Sequence, residues 1–255
     1  MINNIEPIIL HWHLINIRWY GVLLALGVLL SVLIIVKLFK KNNLKTEEAL
    51  DLSIWLAIGG LIGARLGHIL FYEANYYFSH PSEIIFINHG GLSSHGLTIG
   101  LLLTFLIYTK IKKLEWKKVI DLLVIPIPLL AMFIRIGNFF NSEIVGRATD
   151  LPWGVYFPNY ENNPILRHPT QLYEALLLFT IYYLLFTIYK KYSNKLPQLF
   201  IFHLFLILYF GGRFLLEFTK EYQTSWEGLL TAGQWLSLPF IFWSIYWLSK
   251  SQMRV

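Results

Sequence analysis

The chain has 255 residues, 56% of them hydrophobic and only 14% charged, a composition too apolar for a soluble domain of this size to cover its own surface. It contains no cysteine, which excludes a disulfide framework, a thiolate nucleophile and a cysteine-ligated metal site. The formal net charge of +6 would suit nucleic acid, but the basic residues collect on alternate loops between apolar stretches, so the excess reports membrane topology and no nucleic-acid partner is expected.

Residues 1 to 18 are mixed in polarity and lack a basic start before an apolar core, so no cleavable signal is expected and the first apolar stretch should remain as a helix. Seven stretches follow, at 19 to 37, 52 to 72, 94 to 109, 119 to 137, 171 to 189, 198 to 216 and 230 to 248. Each is about long enough to cross a hydrocarbon core of ~30 Å as a helix. The expected fold is an all-α integral membrane protein of about seven transmembrane helices. Because the connections are short, residues 1–255 are expected to form a single polytopic membrane domain.

Lys37, Lys40, Lys41 and Lys45 follow the first stretch, and Lys110, Lys112, Lys113, Lys117 and Lys118 follow the third. Lys190, Lys191 and Lys195 follow the fifth, and Lys250 and Arg254 the seventh, so fourteen of the 21 basic residues share one side. The positive-inside rule makes that side cytoplasmic, with the N-terminus outside and the C-terminus inside. The segment 138–170 then becomes an external head or cover loop between helices four and five. Trp12, Trp19, Trp153 and Trp226 near the boundaries suit an interfacial aromatic belt.

With orientation assigned, the polar residues at the membrane edge crowd the outer ends of the helices. Stretch two carries Arg65 in its outer half, together with Gly59, Gly63 and Gly67, a small-residue series that lets another helix approach closely. His95 opens stretch three, Arg135 and Asn138 close stretch four, Gln171, Tyr173 and Glu174 open stretch five, and Arg213 and Glu217 close stretch six. Tyr209, Arg213 and Glu217 share one helical face at i, i+4 and i+8. Arginines placed near hydrocarbon cost a few kcal/mol unless they pair or meet an anion, and phospholipid headgroups are the nearest anions. Structural ion pairs, Arg213 with Glu217, Arg65 with Glu73 and Glu143 with Arg147, are the plainer reading of the same residues. The histidines form no helical pair with a nearby carboxylate, so neither a metal nor another cofactor is expected.

Five elements go beyond composition: Arg18–Gly21, His89–Gly96, Arg135–Glu143 followed by Gly146 and Arg147, Arg167–Glu174, and Gly212–Phe218. In this order and spacing the chain resembles the bacterial prolipoprotein diacylglyceryl transferases, whose signatures read R-W-Y-G, H-G-G-x-x-x-H-G, R-x-G-N-F-x-N-x-E with G-R, R-H-P-x-Q-L-Y-E and G-R-F-x-x-E-F. The chain departs where many members have S-F-H-G-G, carrying Ser94 before His95 and Leu97 after Gly96.

The resemblance implies a transferase of the bacterial inner membrane. It would move the diacylglyceryl group of phosphatidylglycerol to the lipobox cysteine of a prolipoprotein signal peptide, form a thioether and release glycerol 1-phosphate. The expected active site faces the outer leaflet. Arg135 and Arg213 would bind the phosphate, since a guanidinium offers a fork of donors and keeps its charge when partly dehydrated. Asn138 would orient the headgroup. His95 is the expected base, because imidazole titrates about two units below a cysteine thiol and nearby arginines would favour the thiolate. Tyr20, Asn141, Glu143, Gly146, Tyr209 and Glu217 match further motif positions. A transporter fits less well, because the polar residues crowd one leaflet and no two halves of the chain resemble each other. A receptor of the retinal type would need a lysine within stretch seven.

Overall fold

The structure, a computed structural model, describes residues 1–12, 15–86, 90–221 and 228–251; His89, Trp226 and Arg254 of the sequence reading lie outside them. The chain opens with two short strands that composition did not announce, β1 (Ile8–Trp12) and β2 (Ile15–Arg18), paired antiparallel. The backbone N–H of Trp19 donates to Pro7 O at 3.1 Å, tying the first helix to the strand pair before it.

Helices dominate from there. In chain order they are α1 (Trp19–Lys41), α2 (Thr46–Phe71), α3 (Ala74–Ser79), α4 (Ser94–Ile111), α5 (Trp116–Leu123), α6 (Ile127–Phe140), α7 (Thr170–Tyr192), α8 (Phe200–Leu216) and α9 (Ala232–Lys250), with β3 (Val155–Tyr156) and β4 (Leu166–Arg167) between α6 and α7. Among the described residues, six spans are long and apolar enough to cross a membrane: α1, α2, α4, the α5–α6 stretch Trp116–Phe140, α7, and α8 with its continuation to Thr219. The seventh expected stretch is helical as α9, but Gln234, Ser237, Pro239, Ser244 and Ser249 make it more polar, and it is not one of the six.

Stretch four, expected as one helix, is interrupted at residues 124–126. Pro126 and Pro128 lack the N–H that an α-helix needs, so the chain passes through a turn before α6 begins. Just before this break, the Asp121 carboxylate accepts from the backbone N–H groups of Leu199 at 2.6 Å and Phe202 at 2.8 Å. It thereby satisfies donors left open at the start of α8.

The chain divides into two compact units, residues 1–34 with 120–255 and residues 35–119. In the second, α2 lies directly on α4. A Cβ added to Gly63 would come 2.5 Å from Gly96 O and 2.7 Å from Gly100 Cα, so the backbones meet where only glycine leaves room. Arg65, buried at 6% exposure, does not pair with Glu73. Its guanidinium donates to five carbonyls, those of Glu83 (2.7 Å), Ile84 (2.9 Å), Phe86 (3.1 Å), Gly90 (2.8 Å) and Gly91 (3.2 Å), and lies over the Tyr77 ring. It holds the α3–α4 connection onto α2, and Glu73 instead lies 3.6 Å from His68 Nε2.

In the first unit, the segment between α6 and α7 folds on a small core of Phe139, Val145, Val155 and Phe157, with Ile5 and Phe140 packed against it. The first residues of the chain complete it. Ile2 bridges Tyr156, and the Asn3 amide donates to Phe139 O at 2.8 Å and Ser142 Oγ at 3.2 Å. This segment is therefore a folded element packed on the end of α6 and not an open loop.

Candidate active site

The end of α6, the start of α7 and the end of α8 carry a connected set of polar side chains within the first unit. Arg135 stands one turn before Asn138 on α6, and its Nη1 donates to Asn138 Oδ1 at 3.3 Å. The Asn138 amide, buried at 5% exposure, donates to Glu143 Oε2 at 3.1 Å, and the Asn141 amide donates to Glu143 Oε1 at 3.1 Å. Two amides thus hold the Glu143 carboxylate, while Arg147 Nε donates to Lys220 O. Gln171, wholly buried in the first turn of α7, donates from Nε2 to Glu143 O at 2.6 Å and fixes the backbone of this turn.

Glu174 and Lys220 extend the set. Glu174 Oε2 lies 2.7 Å from Arg135 Nε, and Glu174 Oε1 lies 2.5 Å from Lys220 Nζ. Lys220 Nζ is also 3.6 Å from Glu217 Oε2. The expected Arg213–Glu217 pair is not formed. Glu217 opens the 3-10 turn that follows α8 with its backbone N–H still bonded to Arg213 O, so the i, i+4 spacing persists in the backbone, but its carboxylate turns to Lys220 and the start of α9 near Gly233. Arg213 has no carboxylate partner among the described residues. Glu174 and Lys220 were absent from the sequence-derived site. Glu174 was visible as part of the Arg167–Glu174 element, and Lys220 only as a lysine three residues beyond Glu217.

Tyr20, the second residue of α1, packs where α6 passes closest; a Cβ on Gly137 would lie 2.9 Å from its ring. Gly146 donates its N–H to His168 O at 3.0 Å and bridges Lys220, and a Cβ there would come 2.6 Å from His168 O, so its role is close backbone approach. Tyr209 is half-buried on α8, stacked on Phe205. His95 is the second residue of α4, exposed, in the other compact unit; Ser93 caps that helix by accepting from Gly96 N at 3.2 Å.

Beyond this set, Arg167 binds Glu161 through two hydrogen bonds and also reaches Gly146 O and Glu221. These contacts hold the Glu161 carboxyl down at about 2 and raise the Arg167 guanidinium, while burial lowers His168 below the ordinary imidazole value. No group of three or more His, Asp or Glu among the described residues is placed to hold a metal ion.

Chemically, the set offers the Arg135 guanidinium beside the Asn138 amide, itself held in register by the Glu143 carboxylate; Arg213 on α8 is not among the contacts that join it. That combination suits binding and orienting a phosphate ester rather than supplying a nucleophile.

A sequence-family profile described as prolipoprotein diacylglyceryl transferase matches residues 7–249. Among curated proteins named phosphatidylglycerol--prolipoprotein diacylglyceryl transferase, that of Tolumonas auensis is 41% identical over 243 residues, covering 93% of this chain and 92% of its own. That of Bacteroides fragilis is 37% identical over 259 residues, covering 96% and 93%, and that of Chloroherpeton thalassium is 40% identical over 232 residues, covering 89% and 85%. Identity at this level along nearly the whole of each chain leaves one assignment: the chain belongs to the prolipoprotein diacylglyceryl transferase family.

Proposed function

We propose that this protein transfers the diacylglyceryl group of phosphatidylglycerol to the lipobox cysteine of a prolipoprotein signal peptide. Family membership supports the reaction class, and the observation that carries the site is Arg135, whose guanidinium is held by Glu174 and Asn138 at the end of α6. In the reaction the cysteine sulfur forms a bond to the terminal diacylglyceryl carbon. The bond from that carbon to the phosphate oxygen breaks, and glycerol 1-phosphate leaves with the electron pair. Arg135 and Arg213 bind the phosphate as its charge grows, and Asn138 orients the headgroup. His95 accepts the thiol proton; as the only titratable side chain in the His89–Gly96 element that the described residues include, it is the candidate base of that motif. Tyr20, Asn141, Glu143, Gly146, Tyr209 and Glu217 shape the surroundings of these groups.

This reading places the protein in the bacterial inner membrane as one polytopic domain with its N-terminus outside and its C-terminus in the cytoplasm. Residues 138–170 form its external head, and the site faces the outer leaflet. The alternating lysine-rich loops support that orientation.

The test is transfer itself. Purified protein is reconstituted with phosphatidylglycerol and a synthetic lipobox peptide, and product is read by mass and by release of glycerol 1-phosphate. A thioether on the cysteine peptide and none on its serine counterpart is expected. Absence of product with the cysteine peptide, or equal modification of both, overturns the proposal.

A further inference from the structure

The two charges that sequence reasoning left out of the site, Glu174 and Lys220, lie in direct line with Arg135. Lys220 is buried at 5% exposure, with Nζ 2.5 Å from Glu174 Oε1 and 3.6 Å from Glu217 Oε2. The other Glu174 oxygen lies 2.7 Å from Arg135 Nε. The backbone around Lys220 is pinned as well: its carbonyl accepts from Arg147 Nε, and the residue bridges Gly146. Arg135, Glu174, Lys220 and Glu217 therefore alternate in sign and sum to zero charge.

A carboxylate seated on Arg135 alone would cancel the charge that a phosphate must find there. Shared between two cations, the same carboxylate holds the guanidinium in place by charge, as an ion pair without a hydrogen bond at Nε, and does not neutralise it. We infer that Lys220 is a positioning residue for the anion site: by drawing on Glu174 it keeps Arg135 both aligned and electrostatically available to the lipid phosphate. The inference rests on the anion-binding role proposed above for Arg135. It concerns binding, and not the identity of the proton acceptor.

The experiment measures equilibrium binding of radiolabelled phosphatidylglycerol to detergent-solubilised full-length protein, with turnover measured separately. Lys220→Met leaves Glu174 concentrated on Arg135 and is expected to weaken binding about tenfold, a coupling of the size found within one ion-pair network. Lys220→Arg restores the shared charge and is expected to bind within about threefold of wild type. The double variant Lys220→Met with Glu174→Gln removes the negative charge along with its partner but leaves an amide of the same shape beside Arg135 Nε and the Asn138 contact to Nη1, so alignment is kept and binding is expected to return to within about threefold of wild type.

Wild-type binding by Lys220→Met, or a double variant as weak as Lys220→Met, overturns the inference. If Lys220→Met fails to fold, the double variant, which leaves no new unpaired charge on Glu174, decides by itself: binding near wild type supports the inference and a loss beyond tenfold overturns it. A wild-type protein that binds the lipid yet forms no thioether sinks the transferase reading alone, and one that binds no lipid sinks both.

Discussion

Arg167 grips Glu161 in a two-point fork, Nε to Oε1 at 2.9 Å and Nη2 to Oε2 at 2.8 Å. The same guanidinium reaches Gly146 O at 3.0 Å and the Glu221 carboxylate, so one side chain ties the segment between α6 and α7 to the chain leaving α8. Because Tyr160 Oη also donates to Glu221 at 3.0 Å, the fork is part of a closed set of polar contacts.

Those contacts give stability a definite pH dependence. Hydrogen bonds from Arg167 hold the Glu161 carboxyl at about 2, below its ordinary value of 4.5. A carboxyl depressed in the folded state stabilises fully above the ordinary value and loses that contribution as pH falls toward 2. Glu161→Gln is therefore expected to melt below wild type at neutral pH, by about 1–3 kcal/mol for the loss of a charged hydrogen-bonded pair. The gap should narrow at about pH 3 and close near pH 2. Thermal melts of both proteins in one detergent check this, and a gap independent of pH refutes it.

Arg135→Lys keeps a positive charge but cannot keep the geometry. Arg135 ion-pairs with Glu174 at Nε and donates to Asn138 through Nη1, two contacts made from different nitrogens of one planar group. An ammonium has no such plane, so both contacts cannot be held while a phosphate is gripped. Turnover with phosphatidylglycerol is expected to fall by about tenfold or more, as for loss of a transition-state donor or its alignment. Near-normal turnover would mean that charge alone suffices at this position.

Much of the fold was legible because apolar length is a strong signal. The expected stretches became helical apart from the turn at 124–126, and Arg135, Asn138 and Glu143 became a hydrogen-bonded set. What escaped depends on contacts distant in sequence or on local breaks in periodicity. The β1–β2 pair lies in a mixed-polarity stretch with no helical period, and the turn at 124–126 hides inside a continuous apolar run despite Pro126. The Arg213–Glu217 spacing promised a pair, and the Glu217 N–H does bond Arg213 O, but the Glu217 carboxylate turns to Lys220, a partner that only the turn after α8 brings to it. The Arg135–Glu174 pair joins α6 to α7 across a long connection, which spacing along a single helix cannot reveal.

The α2–α4 contact makes a quantitative demand on glycine. A methyl group at Gly63 would press into Gly96 O and Gly100 Cα, both backbone atoms that cannot swing aside. Gly63→Ala is expected to destabilise by about 1–3 kcal/mol, the usual cost of overpacking. Gly211 on α8 has nothing within 4 Å of an added Cβ, so Gly211→Ala should be neutral or stabilising by up to ~1 kcal/mol through helix propensity. Equal melting shifts for the two variants would refute close packing at Gly63.

The composition of the chain makes its orientation in the membrane unusually clean to test. There is no native cysteine, so a single introduced thiol reports only its own position. Lys113 is exposed between α4 and α5, in a connection that also carries Lys112, with Lys117 and Lys118 following in the first turn of α5. Asn162 is exposed in the folded segment between α6 and α7. The basic cluster argues for a cytoplasmic α4–α5 connection, because lysines are retained where they need not be translocated. One membrane crossing separates that connection from the segment carrying Asn162 if Trp116–Phe140 spans the bilayer, as its length and apolarity allow. Asn162→Cys should therefore react with a membrane-impermeant maleimide added to intact spheroplasts, and Lys113→Cys only after the membrane is permeabilised. That pattern places the Arg135, Asn138 and Glu143 set toward the outer leaflet, where a translocated signal peptide would present its cysteine. The reverse pattern would turn the site to the cytoplasm and leave the thiol of a translocated precursor on the wrong side of the membrane.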